Sequence, residues 1–356
     1  MKKLNLAIIG QGRSGKDIHG KYYLSEENAF FHVKYVVELD ETRRVIAQTL
    51  YPDCQTFADY RELFSREDID LVVNASYSHM HYEITEDLLS HGFHVLVEKP
   101  FARTGEECER LIRLAEEKGV VLAVFQQSFL APFYLFAKEL VDSGKLGRIL
   151  QVDLRYNALA RRWDWQTLQK KVAGGAYNTG PHPIGMALGF LDFDPQAKVA
   201  FSRLDKGLTS GDSDDYAKIL LTAPGKPVAD VEISSMDPYT PYKLKIQGTL
   251  GSFRCTPSSY ELTYLVPGEN PPRPVQENFL QDEAHNPIYC SEKLIKHKEE
   301  GTFEGDAFDV GTASLYRQLY YAIAQGKPMT VTAQMAQQII AVIETAHAQN
   351  PLPILY

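Results

Sequence analysis

The sequence predicts an α/β Rossmann N-terminal domain with a parallel sheet, followed by a C-terminal α+β domain with a large, mostly antiparallel open sheet. Three observations carry this. Short apolar runs alternate with helical periodicity over the first 125 residues, a glycine-rich turn joins the first run to the first helix, and from residue 198 to 255 the runs follow one another with only turns between them. Strand–helix alternation implies βαβ units covered on both faces, whereas consecutive strands imply hairpins with helices on one face. A chain of 356 residues is long for one core and divides here into 1–125 and 126–356.

In order, the first part holds apolar runs at 4–10, 32–39, 70–76, 94–99 and 120–125, with helical patterns at 15–24, 41–50, 79–91 and 104–118. The last pattern opens on Thr104 with Glu107 three positions on, a capping box, and stops at Gly119. The second part begins with a helix near 132–143 and a strand at 148–157, then a glycine-rich segment and an apolar helix over 174–191. Strands follow at 198–204, 216–223, 228–234, 243–248 and 252–255. A Pro-rich polar excursion spans 266–300, and helices at 307–325 and 333–348 close the chain.

Composition narrows the function. The chain is 44% apolar and 23% charged, with net charge −9 and its Lys and Arg dispersed, which argues against nucleic acid and against an anionic membrane surface. Nothing reads as a signal peptide, and no stretch reaches the roughly 18 apolar residues of a membrane span. Cys54, Cys108, Cys255 and Cys290 are too far apart for a CxxC motif or a metal pair, so free thiols and a cytoplasmic setting are expected, with no metal.

The turn "GQGRSG" (10–15) completes G-x-G-x-x-G between a strand and a helix, the context that motif requires. Gly10 permits the tight turn, Gly12 lets backbone approach a pyrophosphate, and Gly15 lets helix and strand pack closely. Arg13 and Ser14 lie in the same loop, where helix N–H groups face the phosphates. Glu38, 23 residues past Gly15 at the end of the second strand, is the expected ribose ligand and favours NAD over NADP. Arg43 and Arg44 keep NADP open; Asp40 is a rival for the ribose role.

"HVLVEKP" (94–100) puts charge at the end of a buried strand. Ligands of an open parallel sheet bind beyond the carboxyl ends of its strands, so Lys99 points to where a nicotinamide would lie. A buried ammonium there could hold a substrate oxygen or exchange a proton; Glu98 would orient it, and Pro100 constrains the turn.

The segment 81–100 resembles the H-x-E…G-x-H-V-x-x-E-K-P pattern of the glucose–fructose oxidoreductase / inositol dehydrogenase / rhizopine catabolism (Gfo/Idh/MocA) family, with His81 at that family's usual His. The glycine loop, "SGKLGRI" (143–149), "IQGTLGSF" (246–253) and "QLYYAIAQGKPMTVT" (318–332) are similar in the same order. The resemblance implies NAD(P)-dependent chemistry on a sugar, cyclitol or related polyol, and a homodimer or homotetramer formed through the open sheet.

"GGAYNTGPHPIGMAL" (174–188) is similar to the family's glycine-rich stretch ending in G-x-H, which puts His182 at its catalytic His. The family often carries Asp four residues before this His and three after; here Asn178 and Gly185 stand there. The resemblance implies a catalytic site of Lys99, His182 and Asn178, with His182 the first choice for general base and Lys99 holding the oxygen and able to share the proton; the reverse assignment of the two roles stays open. "SYS" (76–78), with Ser76, stands where the family has a Thr-Pro-Asn turn and would still line the nicotinamide side. In "FQQSF" (125–129) the neutral Gln126 and Gln127 replace an Arg-rich stretch, which removes an anchor for an anionic substrate, and Gln127 remains a coenzyme-side candidate. In "RRWDW" (161–165), Trp163 or Trp165 could stack on a sugar face, Trp163 being the substrate-side assignment. Two alternatives stay open: a non-catalytic NAD(P)-binding regulator of the same fold, and an NAD-dependent glycoside hydrolase.

Overall fold

Buried apolar runs set the first sheet. The computed structural model describes residues 2–356. Strands β1 (Leu4–Ile9), β2 (Phe31–Val37), β3 (Gln55–Phe57), β4 (Leu71–Asn74), β5 (Val95–Val97) and β6 (Leu122–Val124) are all parallel, in the order β3-β2-β1-β4-β5-β6. Leu6, Ile8, Val72, Val73, Val95 and Leu96 are fully buried, as strands covered on both faces must be. The strand order reverses between β1 and β4, so the crevice beyond their carboxyl ends is the ligand-binding switch point.

The covering helices are π-turned residues Arg13–Gly20 running into α1 (Lys21–Tyr23), then α2 (Glu41–Leu50), α3 (His81–Ser90) and α4 (Gly105–Lys118). At α4 the Thr104 hydroxyl accepts the Glu107 N–H, and Gly119 ends the helix with φ +66°. The expected capping box is half right: the Glu107 carboxylate reaches the N–H of Arg103, one residue before the cap.

The second sheet has eight strands. After α5 (Pro132–Asp142) come β7 (Ile149–Asn157), α6 (Gly175–Asn178), α7 (Pro181–Phe190), β8 (Lys198–Asp205), β9 (Tyr216–Thr222), β10 (Val228–Ser234), β11 (Leu244–Gly248), β12 (Gly251–Cys255) and β13 (Ser259–Tyr264). A ribbon of β14 (Leu280–Gln281) and β15 (Pro287–Ile288) lies within the exposed excursion, and β16 (His297–Thr302) returns to the sheet edge. The order is β16-β13-β12-β11-β7-β10-β9-β8, and β7–β10 is its parallel pair. β13 and β16 were not anticipated, nor was β3. The sequences SYELTY and HKEEGT are too polar, and QTF too short, to announce strands.

Helix α7 is buried along its length except at His182, as its unbroken apolar sequence requires. Helices α8 (Thr312–Gln325) and α9 (Ala333–Gln349) return to the first domain. The Gly105 N–H donates to the Glu344 carboxylate at 3.0 Å, and the Tyr320 hydroxyl to the Lys2 carbonyl at 3.2 Å. These contacts tie the closing helices to the first domain. No helix among the described residues is long and apolar enough to cross a membrane, and the four cysteines are unpaired.

The glycine loop separates packing from space. A Cβ on Gly15 would lie 1.9 Å from the Gly10 carbonyl oxygen, whereas one on Gly12 would meet nothing within 4 Å. Gly15→Ala is expected to cost about 1–3 kcal/mol in chemical denaturation, and Gly12→Ala within about 0.5 kcal/mol of zero.

Candidate active site

The coenzyme cradle is assembled by Glu38. At the end of β2 its two carboxylate oxygens accept the N–H groups of Gln11 (2.7 Å) and Asp40 (3.0 Å), so the acid is buried and braces the glycine loop. Gly10 takes φ +93°, and a Cβ there would strike the Ala75 carbonyl after β4 at 2.4 Å. A cavity of about 260 Å³ opens beside this loop, lined by Gln11, Gly12, Arg13, Lys16, Asp17 and Arg43. The open flank of Gly12, the first turn at Ser14 and three cations fit a dinucleotide pyrophosphate. Arg44 does not project from the helix face; it folds back to donate to the Glu38 and Leu39 carbonyls.

Lys99 stands at the end of β5, before a cis bond to Pro100. Its ammonium donates at 2.9 Å to the carbonyl of Asn178, the last residue of α6. The amine of the first domain therefore meets the second domain four residues before His182. Burial lowers the Lys99 pKa; the Glu98 carboxylate opposes that, and the charges of Arg13 and Arg162 add to it. Glu98 is itself buried, and one oxygen accepts the Lys99 backbone N–H at 3.0 Å. His81 is buried with Nδ1 2.7 Å from the Pro100 carbonyl and Nε2 3.3 Å from the Ser76 carbonyl. Burial holds its pKa down, so it is neutral, and the shorter contact is the N–H donor. His81 and Glu98 thus shape the turn from behind. Ser76 sits on the crevice side, its hydroxyl donating to Asn74.

His182 opens α7 with Nδ1 3.0 Å from the Ser128 hydroxyl. Burial and the neighbouring Lys99 charge push its pKa down to about 3, so it is a neutral imidazole at physiological pH. The Asn178 side chain donates to the Gln166 carbonyl at 2.8 Å and leaves Oδ1 buried without a partner. Gln126 and Gln127 are buried with their side-chain oxygens also unpaired. The short helix α6 is held by Asp214, whose carboxylate accepts the Ala176 N–H at 2.8 Å and whose carbonyl accepts the Gly175 N–H at 2.7 Å. Burial raises the Asp214 carboxyl to about 7.

Two positions are settled by space. Trp163 is not drawn into the group: it is 76% exposed, while Trp165 meets the Tyr77 ring edge-on at 5.0 Å beside the cleft. A Cβ on Gly185 would lie 2.7 Å from the Phe129 ring and 2.8 Å from Ile339, so core side chains fill the place of a second acid. Sequence reasoning missed Ser128, Asp214 and His19. Ser128 sits in the quoted "FQQSF" and His19 four residues past the glycine loop, but only tertiary contact distinguishes them from ordinary polar residues.

A parallel sheet with a glycine loop at its switch point, faced by a lysine and an imidazole from an open-sheet domain, defines a two-domain nucleotide-binding oxidoreductase. Residues 4–126 match the Gfo/Idh/MocA oxidoreductase family, NAD-binding Rossmann fold, and residues 134–254 match the C-terminal domain of that family. The chain belongs to the Gfo/Idh/MocA family. It is 25% identical over 350 residues to an NADP(+) scyllo-inositol 2-dehydrogenase of Bacillus subtilis (strain 168), covering 96% of this chain and 92% of that protein. It is 26% identical over 298 residues to a 2,7-anhydro-N-acetylneuraminate hydratase of Mediterraneibacter gnavus, covering 81% and 77%. The structure of a levoglucosan dehydrogenase in complex with NADH and levoglucosan superposes with a TM-score of 0.76 at 20% identity, covering 98% of each chain.

Gly185→Asp is expected to destabilise the protein by about 3 kcal/mol or more, since it overpacks the core and buries a charge; urea titration measures it. The depressed His182 pKa favours the fold while the ring is neutral. Its contribution is present above the ordinary pKa of 6.5 and is lost as pH falls toward 3. Between pH 6.5 and 4 the wild type should lose stability faster than His182→Gln, by up to about 1.4 kcal/mol per pH unit.

Proposed function

We propose that this protein is an NAD(P)-dependent dehydrogenase that moves a hydride between the nicotinamide coenzyme and a CH–OH carbon of a sugar, cyclitol or related polyol. The observation that carries this is the 2.9 Å contact between the Lys99 ammonium and the Asn178 carbonyl, which brings amine and imidazole segment to one place. The coenzyme, when bound, supplies the hydride acceptor or donor.

The chain's own residues supply the rest. Lys99 holds the substrate oxygen, its proton made easier to share by burial while Glu98 keeps the charge from being lost. His182 is neutral and takes the hydroxyl proton. Nδ1 lies against the Ser128 hydroxyl, and in the tautomer that donates to it the lone pair lies on Nε2. The unpaired Asn178 Oδ1 is an acceptor suited to a polyol hydroxyl. Glu38 supports NAD, and Arg43 with Lys16 at the rim of the cavity leaves room for NADP. The similarity to an NADP(+) inositol dehydrogenase and to levoglucosan dehydrogenase supports the polyol class. A homodimer or homotetramer through the open sheet belongs to the same reading. The non-catalytic alternative draws on Asn178 and Gly185, which remove both acids; the pairing of Lys99 with the His182 segment favours turnover.

A sugar and cyclitol panel read by NADH or NADPH absorbance tests the proposal. Lys99→Ala is expected to lower kcat by about 10²–10⁴-fold or more while coenzyme affinity stays within about threefold; an unchanged rate would remove the mechanism. Glu38→Ala should weaken NAD more than NADP in fluorescence titration, and equal weakening would exclude the ribose role.

A further inference from the structure

Buried polar side chains from three separate elements form a line that ends on the turn carrying Lys99. The Tyr23 hydroxyl donates to the Tyr316 hydroxyl, which lies 2.8 Å from His19 Nδ1. On the far side of that ring, Nε2 is 3.2 Å from Glu98 Oε1, and Glu98 Oε2 accepts the Lys99 N–H at 3.0 Å. His19 and Tyr316 are fully inaccessible and Glu98 is 3% exposed. Because Tyr23 gives its proton to Tyr316, the Tyr316 proton is free for Nδ1, which leaves Nε2–H facing the carboxylate. The approach at 3.2 Å is bent, so this last contact is chiefly electrostatic.

Burial alone would raise the Glu98 carboxyl. The Nε2–H of His19, the Lys99 charge and the nearby His81 ring outweigh it and hold the group down to about 2. The tyrosines at the other end are pushed well above their ordinary value. A line with such ends does not pass protons at neutral pH. It fixes a negative charge behind the lysine.

We propose that Tyr316 is a positioning residue for Lys99, acting through His19 and Glu98. A hydroxyl carried by helix α8 of the second domain orients an imidazole of the first. The imidazole fixes the Glu98 carboxylate, and the carboxylate holds the Lys99 turn and keeps the amine protonated. The amine is thereby poised only when α8 is docked. This rests on the reading of Lys99 as the catalytic amine, yet it concerns the state of that amine before any substrate is present. The charged and titratable groups facing Lys99 are Glu98 on its own turn, Arg13 from the glycine loop, Arg162 from the segment after β7, His81 from α3 and His182 from α7.

The test is competitive acetylation of the full-length protein with acetic anhydride across pH. Mass spectrometry follows the Lys99 peptide relative to the other lysines, with coenzyme and substrate left out. In Glu98→Gln and in Tyr316→Phe the labelling curve of Lys99 should move to lower pH, with at least about threefold faster labelling at pH 7.5. In Tyr23→Phe, which removes a neighbouring buried hydroxyl but leaves the Tyr316–His19 contact, the curve should stay in place. Equal movement in Tyr23→Phe and Tyr316→Phe would show general loosening and overturn the proposal, as would no movement in Tyr316→Phe. If Tyr316→Phe does not fold, His19→Asn breaks the line at its middle and is read by the same criterion. In turnover assays Tyr316→Phe should lower kcat with KM for the coenzyme unchanged. A protein inactive on every sugar but showing the labelling pattern would refute the dehydrogenase reading and leave the positioning line standing.

Discussion

An ammonium at the buried end of a parallel strand must be met by an acceptor, and in this protein the acceptor comes from the other domain. The Lys99–Asn178 contact is short, crosses 79 residues of sequence, and uses a backbone carbonyl whose place is set by helix α6. That helix has four residues and cannot hold itself. Asp214 holds it, by one carboxylate oxygen and one carbonyl on successive N–H groups. Helices α8 and α9 in turn are bonded to the first domain at Lys2 and Gly105. The Asn178 carbonyl thus replaces one of the water contacts the amine gives up when the second domain covers it.

Much of this was legible because it depends on local chemistry. The glycine loop, the acid after β2 and the charged end of β5 are read from spacing, since steric limits on a turn and the geometry of strand ends recur wherever the motif does. Thr104 and Gly119 bounded α4 for the same reason. What stayed hidden depends on contact between distant segments. His19 is an ordinary polar residue until Tyr316, 297 positions away, lies against it. Ser128 gains meaning only when α7 brings His182 to it. The edge strand β16 and its neighbour β13 hide because their polar residues dilute the alternation. Trp163 and Trp165 alternate in sequence and diverge in space, and composition could not choose between them.

The altered acids give the site its own character. Asn178 keeps a hydrogen-bonding side chain without a charge, and Gly185 yields its volume to Phe129 and Ile339. The carboxylates closest in chemistry to the reacting groups are therefore Glu98 and Asp214, and both act from behind, one beneath the lysine turn and one beneath α6. The amine of Lys99 and the ring of His182 are both shifted away from their charged forms by burial. Charge in this pocket is set by the frame, not by groups that face the ligand.

The excursion between β13 and β16 runs almost wholly in solvent, and its base is pinned by reciprocal hydrogen bonds between Asn270 and Ile295. It carries Cys290, which is exposed while Cys54, Cys108 and Cys255 are buried. A thiol-reactive fluorophore added to the unmodified chain would consequently attach at one address. The protein comes with its own site for a reporter dye or a surface tether.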